Sequence, residues 1–527
     1  MKKNRFLKPL AILLAAVMAF SLAACGGSSA PAADDSGSAA EEASGAGEAA
    51  RPEGNVIRVA ESFAYPSLDV HKEYYGWYTQ IYGMSEALFR MDENSAAQPL
   101  LAEGASVDGN VWTVTLRDGI CFSNGEAVTA DMVVRNLERA AAENERFAFL
   151  NDFEIAAADD STVTITTPEV YPTLLNDLAS PELGIMDLDN TEDFDNAPIC
   201  TGPFVIDTFV PEGDVTVARN DNYWGGDVQL DGAVFYYMTE DDPKLYAMQG
   251  GEIDGYTSVT ATALEIYEAE PDRYEVTSIP ATRLQFYGLN GNRLDESVRE
   301  AINMIIDKDA IAEFLNGTIS AAVGPFSTAA AYGQVTGPVV DVAAAQALLE
   351  ADGYTLNADG FYEKDGQPLR LNICYYAARS LDTLAVLMQE QLQAAGIDAY
   401  LTVEEDPDGT YLTTGDFDIA LYCMIADKAG DPYYCVDALF RQDSRWAPLT
   451  GFHDDEVEAL IEELRFETDA AHRAELANQI VQTVIDANYF GFVGLFNKIT
   501  VLAPGVSGLS ENCPFDFYGI DANTTLG

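Results

Sequence analysis

From residue 55 onwards, short hydrophobic runs alternate with polar turns, and their spacing predicts strands and helices in turn. Residues 55–60 and 111–116 have the pattern of strands, and the second run alternates at period two. Thr129 precedes an acidic residue and an apolar-periodic run, which predicts the start of a helix. Val163 and Ile165 fall on one face of a further strand.

Longer helical patterns fill the second half of the chain. Apolar residues between 295 and 317 recur at helical spacing, which predicts one helix that ends at Gly317. An apolar stripe from Leu384 to Ala395 stops at Gly396. The remaining predictions are a strand over 397–403, helices over 455–466 and 469–488, and an extended apolar segment over 489–502. Helices that alternate with strands in this way predict an α/β fold.

The first 24 residues have the pattern of an export leader. Four positive charges within residues 1–9 precede a short apolar stretch over 10–22, and Leu-Ala-Ala-Cys25 follows. The apolar stretch is too short for a membrane span. The tetrapeptide resembles the bacterial lipobox, so Cys25 is expected to be acylated, and two acyl chains anchor a protein where one does not. A secreted protein with a chance cysteine at its cleavage site is the alternative.

Residues 25–54 are expected to form a disordered acidic tether between the lipid and the folded body. Residues 30–51 are Ala, Ser, Gly, Glu and Asp with one Pro, one Arg and no aromatic residue. Such a segment buries too little apolar surface to offset the entropy of ordering. No later stretch of about 18 uncharged apolar residues follows, so the body is expected to be soluble and extracytoplasmic.

Charge and size narrow the possible partners. With 527 residues and 48% hydrophobic content, the chain is too long for one core, and two or three subdomains are expected. The formal net charge is −58, and removing the four positive charges of the leader gives −58 − 4 = −62. Such a surface repels phosphate backbones and anionic headgroups, which argues against a nucleic acid partner. It favours solubility, or a local field that concentrates cationic ligands.

Cysteine and histidine usage does not predict a metal site or a cofactor. Six cysteines follow Cys25 at irregular spacings with no C-x-x-C, so we expect free, buried thiols, although their even number permits disulfides. The chain has three histidines, and none lies at i,i+4 from another ligand type on a helix face. His71 lies close to an aromatic run at 74–78 and is the one candidate among them.

Several short motifs are spread along the folded body. Residues 112–125 read WTVTLRDGICFSNG, and residues 129–134 read TADMVV. Further stretches are 201–204 with 219–225, 248–254, 298–302 with Asp307-Lys308, and 343–354. Each motif is weak alone, but together, in this order from about residue 55 to residue 500, they resemble the family 5 solute-binding proteins, the peptide and nickel class of ABC receptors.

The resemblance implies a two-lobed α/β receptor of the periplasmic-binding-protein type II-like class, with an extra subdomain in its first lobe. Two crossing strands join the lobes, and we expect them at 284–290 and 491–497. Lobe I would then be 55–283 plus 498–527, and lobe II would be 284–497. A ligand that bridges the lobes favours the closed state, which the membrane permease recognises.

The resemblance also implies a role and a location. We expect a monomeric binding component of an ABC importer that is not an enzyme. Its partners would be a peptide or small-molecule ligand and the ABC permease subunits. It would be held through Cys25 at the outer face of the cytoplasmic membrane or in the periplasm.

Arg146 is a candidate ligand residue because of a resemblance to one branch of the family. Residues 122–126, 143–150 and 365–371 are more similar to the nickel-chelate branch than to the oligopeptide branch. In that branch, an arginine matching Arg146 is implied to hold the carboxylates of a small chelator, which suits a planar guanidinium. The alternative is a solvated partner for the neighbouring acids.

Asp427 favours a different ligand. The resemblance places residues 426–432 in a loop that lines the cleft. Peptide-binding relatives carry an aspartate there that pairs with the ligand's α-amino group, whereas the nickel branch carries aromatic residues. Here Ala426 and Gly430 stand at the aromatic positions. We therefore expect a small amphoteric ligand, with di- to oligopeptides favoured and a metal chelate as the alternative; a solvated turn acid is the other interpretation of Asp427.

Three further residues are candidate ligand contacts. Arg117 follows a predicted strand and could face the cleft, although a structural salt bridge is the other interpretation. Tyr75 and Trp77 could stack on a ligand, or they could pack in the core.

Two other function classes fit the sequence less well. A secreted hydrolase is not supported, because the sequence has no G-x-S-x-G, no H-E-x-x-H and no phosphate-binding glycine loop. A surface adhesion or scaffold protein would show repeats or exposed aromatic modules, and the sequence has neither.

Overall fold

The computed structural model describes residues 54–527. The predicted leader, Cys25 and all but the last residue of the predicted tether lie outside the described residues. The strands are β1 Val56–Glu61, β2 Phe89–Met91, β3 Ala97–Pro99, β4 Ala102–Asp108, β5 Val111–Leu116, β6 Glu154–Asp159, β7 Thr162–Thr166, β8 Phe204–Phe209, β9 Val215–Arg219, β10 Gly232–Tyr237, β11 Gly255–Thr257, β12 Glu275–Leu289, β13 Ile319–Ala321, β14 Thr355–Leu356, β15 Tyr362–Lys364, β16 Gln367–Pro368, β17 Arg370–Tyr375, β18 Asp398–Val403, β19 Ile419–Ile425 and β20 Phe490–Leu502.

The α-helices lie mostly in the second half of the chain. They are α1 Tyr75–Ile81, α2 Ala130–Glu143, α3 Leu174–Asp177, α4 Asp241–Gly250, α5 Ala261–Glu268, α6 Glu296–Ile305, α7 Lys308–Phe314, α8 Val342–Ala351, α9 Leu381–Ala394, α10 Tyr411–Thr414, α11 Tyr433–Phe440, α12 Trp446–Thr450, α13 Asp455–Phe466 and α14 Ala470–Asp486. Short 3-10 helices cover Glu145–Asp152, Pro181–Leu183 and Ala331–Gly333.

Local sequence signals account for the start and face of α2. The hydroxyl of Thr129 accepts a hydrogen bond from the backbone N–H of Met132 at 3.4 Å, as an N-cap residue does. Val133, Leu137 and Ala140 then fall on one buried stripe at spacings of four and three. The predicted helix start is therefore confirmed.

The prediction of one continuous helix over 295–317 is wrong. The segment forms α6 and α7, which are separated at Ile306 and Asp307. Ile306 leaves the helical region with ψ 105°, and the side chain of Asp307 accepts a hydrogen bond from the N–H of Ala310 at 2.9 Å. Asp307 therefore starts a second helix, and the apolar periodicity alone could not reveal this capping interaction.

One sheet runs through most of the molecule. It has 11 strands in the order β18-β17-β19-β12-β20-β11-β1-β10-β9-β8, with β13 also paired to β20. Strands β1 and β10 pair in parallel, and β12 and β20 pair antiparallel over most of their length. A separate four-stranded sheet, in the order β4-β5-β7-β6, packs with α2 in a second hydrophobic core.

Strands β12 and β20, of 15 and 13 residues, are the longest strands within residues 54–527 and are neighbours in the middle of the large sheet. The register shifts between Pro280 and Leu284, so residues 281–283 have no partner on β20. On one side of this break β12 pairs with residues 497–502, and on the other it pairs with residues 490–495. The break adjoins 284–290 and 491–497, the two crossing strands expected from the sequence, and their role as a hinge stays a prediction.

Two further features bear on the sequence predictions. The six cysteines from Cys121 to Cys513 are all free thiols, and five of them are buried, as expected. Among residues 54–527, none of the helices has the length and the apolar content that crossing a bilayer requires.

Candidate functional site

We call residues 55–283 and 498–527 lobe I, and residues 284–497 lobe II, following the ranges predicted from the sequence. This division stays a prediction. The loop between β19 and α11 makes the central contact. Asn176 of lobe I donates hydrogen bonds from its Nδ2 to the carbonyl oxygens of Ala429 at 2.7 Å and Gly430 at 3.2 Å.

Gly430 allows this close approach. Its φ of +70° lies in the left-handed region, and a side chain at this position would overlap Met91 and the carbonyl oxygen of Ser95 in lobe I. A second contact between the lobes is the ion pair of Arg465 with Glu169 at 2.6 Å. The described state is therefore one in which the lobes are in contact.

Asp427 lies in the same loop, and its carboxylate interacts with two groups of lobe II and also with Ser95 of lobe I. One oxygen accepts a hydrogen bond from the hydroxyl of Tyr332 at 2.6 Å, and the other accepts one from the N–H of Gly430 at 2.6 Å. The residue is 7% exposed, and burial raises the pKa of its carboxyl group to about 6. Asp427 therefore holds the loop in the shape that contacts lobe I.

Arg146 presents its charge on a half-exposed surface of lobe I. Its backbone N–H donates to the side chain of Asn144 at 3.2 Å, which starts the 3-10 helix Glu145–Asp152. The guanidinium forms an ion pair with Glu182 and lies 4.3 Å from the ring centroid of Tyr74. The side chain of Glu182 is 1% exposed, against 35% for Arg146. Burial raises the pKa of the Glu182 carboxyl group, and the arginine opposes this.

The partner of Arg146 is thus a buried acid that is distant in sequence, and not the acids that flank it. A guanidinium fixed by one nitrogen to a buried carboxylate keeps its other N–H groups available. Such an arginine can bind a ligand carboxylate without a large loss of side-chain entropy.

Aromatic side chains surround Arg146. Trp77 lies 5.5 Å from Tyr74 and 5.4 Å from Phe517 between ring centroids. Tyr75 points to another neighbour, Tyr65, at 5.5 Å. Both Tyr75 and Trp77 are half-buried, so each offers a ring edge or face while packing against other rings. The structure therefore places Trp77 and Arg146 against the same ring, that of Tyr74. Tyr75, the first residue of α1, packs against Tyr65 instead.

Arg117 supports the backbone of lobe I. Its Nε donates to the carbonyl oxygen of Leu100 at 2.6 Å, and its Nη2 donates to that of Pro99 at 3.4 Å. The structural role predicted for Arg117, as the alternative to a ligand contact, was a salt bridge. Its hydrogen-bond partners are instead backbone carbonyl groups. Among residues 54–527, Arg117 makes no ion pair.

His71 is a neutral core residue. It is fully buried, and its two ring nitrogens lie 3.0 Å from the carbonyl oxygen of Gly184 and 3.0 Å from Nη1 of Arg139. Because arginine can only donate, Nδ1 accepts and Nε2 carries the hydrogen. Burial, together with the charge of Arg139, lowers the pKa of His71 to about 4. Within residues 54–527, no group of three or more His, Cys, Asp or Glu side chains is arranged to hold a metal ion.

Sequence reasoning missed Glu182 and Phe517. Glu182 lies 36 residues from Arg146, and Phe517 reaches the site from the C-terminal loop that follows β20. No local pattern connects residues so far apart. The one signal in the sequence is the aromatic spacing of Phe515, Phe517 and Tyr518, which is unusual for an exposed tail.

The comparisons with known proteins agree with this architecture. Residues 96–445 match the family model described as bacterial extracellular solute-binding proteins, family 5 Middle, which is more than half of the chain. The nickel-binding protein NikA of Staphylococcus aureus is 24% identical over 84% of this chain and 89% of its own length. A glutathione-binding protein, GsiB of Salmonella typhi, is 27% identical over 52% of this chain and 56% of its own length.

A crystal structure of a nickel ABC transporter from Bacillus halodurans superposes with a TM-score of 0.82. It is 26% identical in sequence, and the match covers 90% of this chain and all of that chain. The predicted two-lobed α/β fold and the predicted role as a substrate-binding component are confirmed. The extracellular description of the family also confirms an exported location. The chain therefore belongs to the bacterial extracellular solute-binding proteins of family 5.

Proposed function

We propose that this solute-binding protein captures a small amphoteric ligand, with di- and oligopeptides favoured, and delivers it to an ABC permease when the lobes close. The observation that carries the proposal is the arrangement of Arg146, which is charged, half-exposed and fixed between Glu182 and the ring of Tyr74. A guanidinium held in this way is suited to a ligand carboxylate. The glutathione-binding relative is named for a peptide ligand.

Within this proposal the candidate residues have two different roles. Arg146 and Trp77 contact the ligand, since both side chains are half-exposed and both lie against Tyr74. Tyr75, which packs against Tyr65, is a further candidate contact. Asp427 and Arg117 position the surrounding backbone, because their polar atoms already bond to groups of the protein.

A nickel chelate is the second candidate. Two of the relatives are named for nickel, and an arginine could hold a chelator's carboxylates as readily as those of a peptide. Ala426 and Gly430 stand where the resemblance leads us to expect aromatic residues in nickel-binding relatives. This difference favours the peptide.

The remaining parts of the proposal concern attachment and activity. Cys25 carries the lipid, and residues 25–54 tether the receptor outside the cell. The protein acts as a monomer, and it does not catalyse a reaction, because the role of a solute receptor needs only binding and closure.

Mass spectrometry of the ligand carried through a native purification tests the ligand class directly. The expected cargo is a short peptide, and a nickel ion with a chelator would reverse the preference between the candidates. Arg146→Ala should weaken binding of that cargo at least tenfold, or about 1.4 kcal/mol. Arg273→Ala is the matched control, because Arg273 is exposed and paired with Glu270 at 2.6 Å in lobe I. Equal affinity of the two variants would refute the role of Arg146.

A further inference from the structure

Asn176, on the short helix α3 of lobe I, bonds to the backbone of lobe II. Its Nδ2 donates to the carbonyl oxygens of Ala429 at 2.7 Å and Gly430 at 3.2 Å. Both acceptors belong to the loop 427–431. The hydrogen bonds that the Asn176 amide donates therefore join the two lobes and do not serve its own lobe.

Bonds within lobe II hold the loop 427–431 in one shape. The carboxylate of Asp427 accepts hydrogen bonds from the hydroxyl of Tyr332 and the N–H of Gly430, each at 2.6 Å. One oxygen of Asp431 accepts from the guanidinium of Arg473 at 2.5 and 3.0 Å. The carbonyl groups of the loop are thus oriented before the lobes meet, and a preorganised partner loses little entropy when a bond forms.

The contact between the lobes is tight at Gly430. A Cβ atom at this position would lie 2.1 Å from the Cε of Met91 and 2.1 Å from the carbonyl oxygen of Ser95, and the nearest atoms are all from lobe I. The strain of a side chain at positive φ is the same whether the lobes touch or not. A methyl group added here would therefore disfavour the closed state through its overlap with lobe I.

An aspartate follows each side of this contact in the sequence. Asp177 comes directly after Asn176, and Asp431 comes directly after Gly430, so the bond between the lobes brings two carboxylates towards each other. The Oδ2 of Asp177 accepts a hydrogen bond from the hydroxyl of Tyr171 at 2.8 Å. Asp177 forms no ion pair within residues 54–527, so its charge is not balanced by a direct contact.

The titratable groups that face Asp177 are Tyr171 of lobe I and Asp431 and Lys428 of lobe II. Burial raises the pKa of the Asp177 carboxyl group from 3.8 to about 7; Tyr171 opposes this shift, Asp431 adds to it and Lys428 opposes it. Opening of the lobes would withdraw the loop, and with it Asp431 and part of the burial. The carboxyl group would then return towards its ordinary pKa.

Protonation of Asp177 is therefore linked to closure. Because the closed state holds the proton more tightly, closure is most favourable below pH 3.8, where the carboxyl group is protonated in both states. It becomes less favourable as the pH rises towards about 7, and it is least favourable above that value.

We propose that Asn176 and Asp177 form an acid-sensitive latch, which positions the lobes for capture without touching the ligand. Asn176 holds the loop 427–431 against lobe I, and ionisation of Asp177 loosens this contact. The receptor therefore releases its ligand more readily as the pH rises, because apparent affinity follows the fraction of molecules in the binding-competent state. This inference rests on the proposed function, since it concerns the closure that captures the same ligand.

Small-angle X-ray scattering of the full-length protein without added ligand tests the latch, because domain closure makes the molecule more compact. The ratio of closed to open wild-type molecules should fall about tenfold between about pH 5 and about pH 8. Asp177→Asn keeps an acceptor for Tyr171 but does not ionise, so its ratio should change by about threefold or less over the same range. Asp427, which also interacts with Ser95 of lobe I, supplies the remaining slope.

Two variants weaken the contact itself. Asn176→Ala should lower the ratio of closed to open molecules about tenfold at both pH values and keep the pH slope. If the wild type is fully closed throughout, the slope and the effect of Asp177→Asn are measured in the Asn176→Ala background. Gly430→Ala tests the contact from lobe II and should be open at both pH values.

Matched controls come from exposed positions of lobe I. Asp108→Asn is the control for Asp177→Asn, at the exposed end of β4, and Asn523→Ala is the control for Asn176→Ala. Both controls should give the wild-type ratio at each pH. Urea midpoints close to that of the wild type would show that each variant is folded.

The failures of the latch and of the proposed function are distinguishable. An equal pH slope in Asp177→Asn and the wild type would overturn the role of Asp177, and wild-type ratios in Asn176→Ala and Gly430→Ala would overturn the latch. Neither result concerns the cargo retained by the wild type, which tests the proposed function. A retained nickel chelate would reverse the ligand preference while the pH slope of closure persisted.

Discussion

Asp427→Asn should change the pH dependence of stability in a direction that identifies where this carboxylate points. In the wild type, Tyr332 and Gly430 donate to its two oxygens, each at 2.6 Å. Burial raises the pKa of the carboxyl group from 3.8 to about 6, and the neighbouring Asp431 contributes. An asparagine keeps the size and one acceptor oxygen but does not titrate, so the substitution removes one acid with a raised pKa.

The sign and size follow from linkage. Because the folded state holds this proton more tightly, the free energy of unfolding is highest below pH 3.8, where both states are protonated. It falls as the pH rises towards about 6, where the folded state also ionises, and it is lowest above that value. A difference of about two in pKa corresponds to about 3 kcal/mol. The wild type should lose this amount relative to Asp427→Asn across the window.

Urea unfolding at several values between about pH 4 and about pH 7 measures this difference, because the other acids cancel between the two proteins. Asp359→Asn is the matched control, since Asp359 is exposed in a turn. Its stability should run parallel to that of the wild type. Parallel curves for Asp427→Asn as well would refute the reasoning and would return Asp427 to the ligand-facing role predicted from the sequence.

Two other predictions concern the large sheet. Arg58→Met removes the bidentate partner of buried Asp254, whose oxygens accept hydrogen bonds from Arg58 at 2.7 and 3.0 Å. Urea unfolding should show a loss of about 3–5 kcal/mol in the free energy of unfolding, which adding Asp254→Leu partly restores. An unchanged midpoint would contradict this. Gly491→Ala would place a methyl group in the ring of Tyr287 on the paired hinge strand and should cost about 1–3 kcal/mol. Gly104→Ala, with open space around it, should cost less than about 0.5 kcal/mol, and equal losses would count against the overlap.

Local patterns predicted the elements well where the relevant physics is local. The cap at Thr129, the stripe that ends at Gly396 and the apolar segment of β20 are each encoded within about a dozen neighbouring residues. The continuous helix over 295–317 failed because a cap inside an apolar-periodic run does not disturb the periodicity. Only the side chain of Asp307, which can serve as a cap or as a solvated acid, distinguishes one helix from two.

The site was less predictable because its chemistry depends on pairs that are distant in sequence. Arg146 was found through a resemblance, but its buried partner Glu182 was not. Lys498 illustrates the same difficulty, since nothing in a strand pattern indicates that its three donors are used by carbonyl groups of a later loop. Whether a charged residue is free or satisfied is a property of the tertiary structure, and this property decides which residues can bind a ligand.

The energetics of closure favour a ligand that bridges the lobes. The polar contacts that we identify between lobe I and lobe II within residues 54–527 include the Asn176 bonds to the loop and the Arg465–Glu169 pair. A hydrogen bond contributes about 1 kcal/mol, and a surface ion pair with both side chains partly exposed contributes about 0–1 kcal/mol. Converting a mostly open population into a mostly closed one requires about 5.5 kcal/mol. The named contacts supply only part of that value, so a ligand that bonds to groups on both lobes would add to the free energy that favours closure.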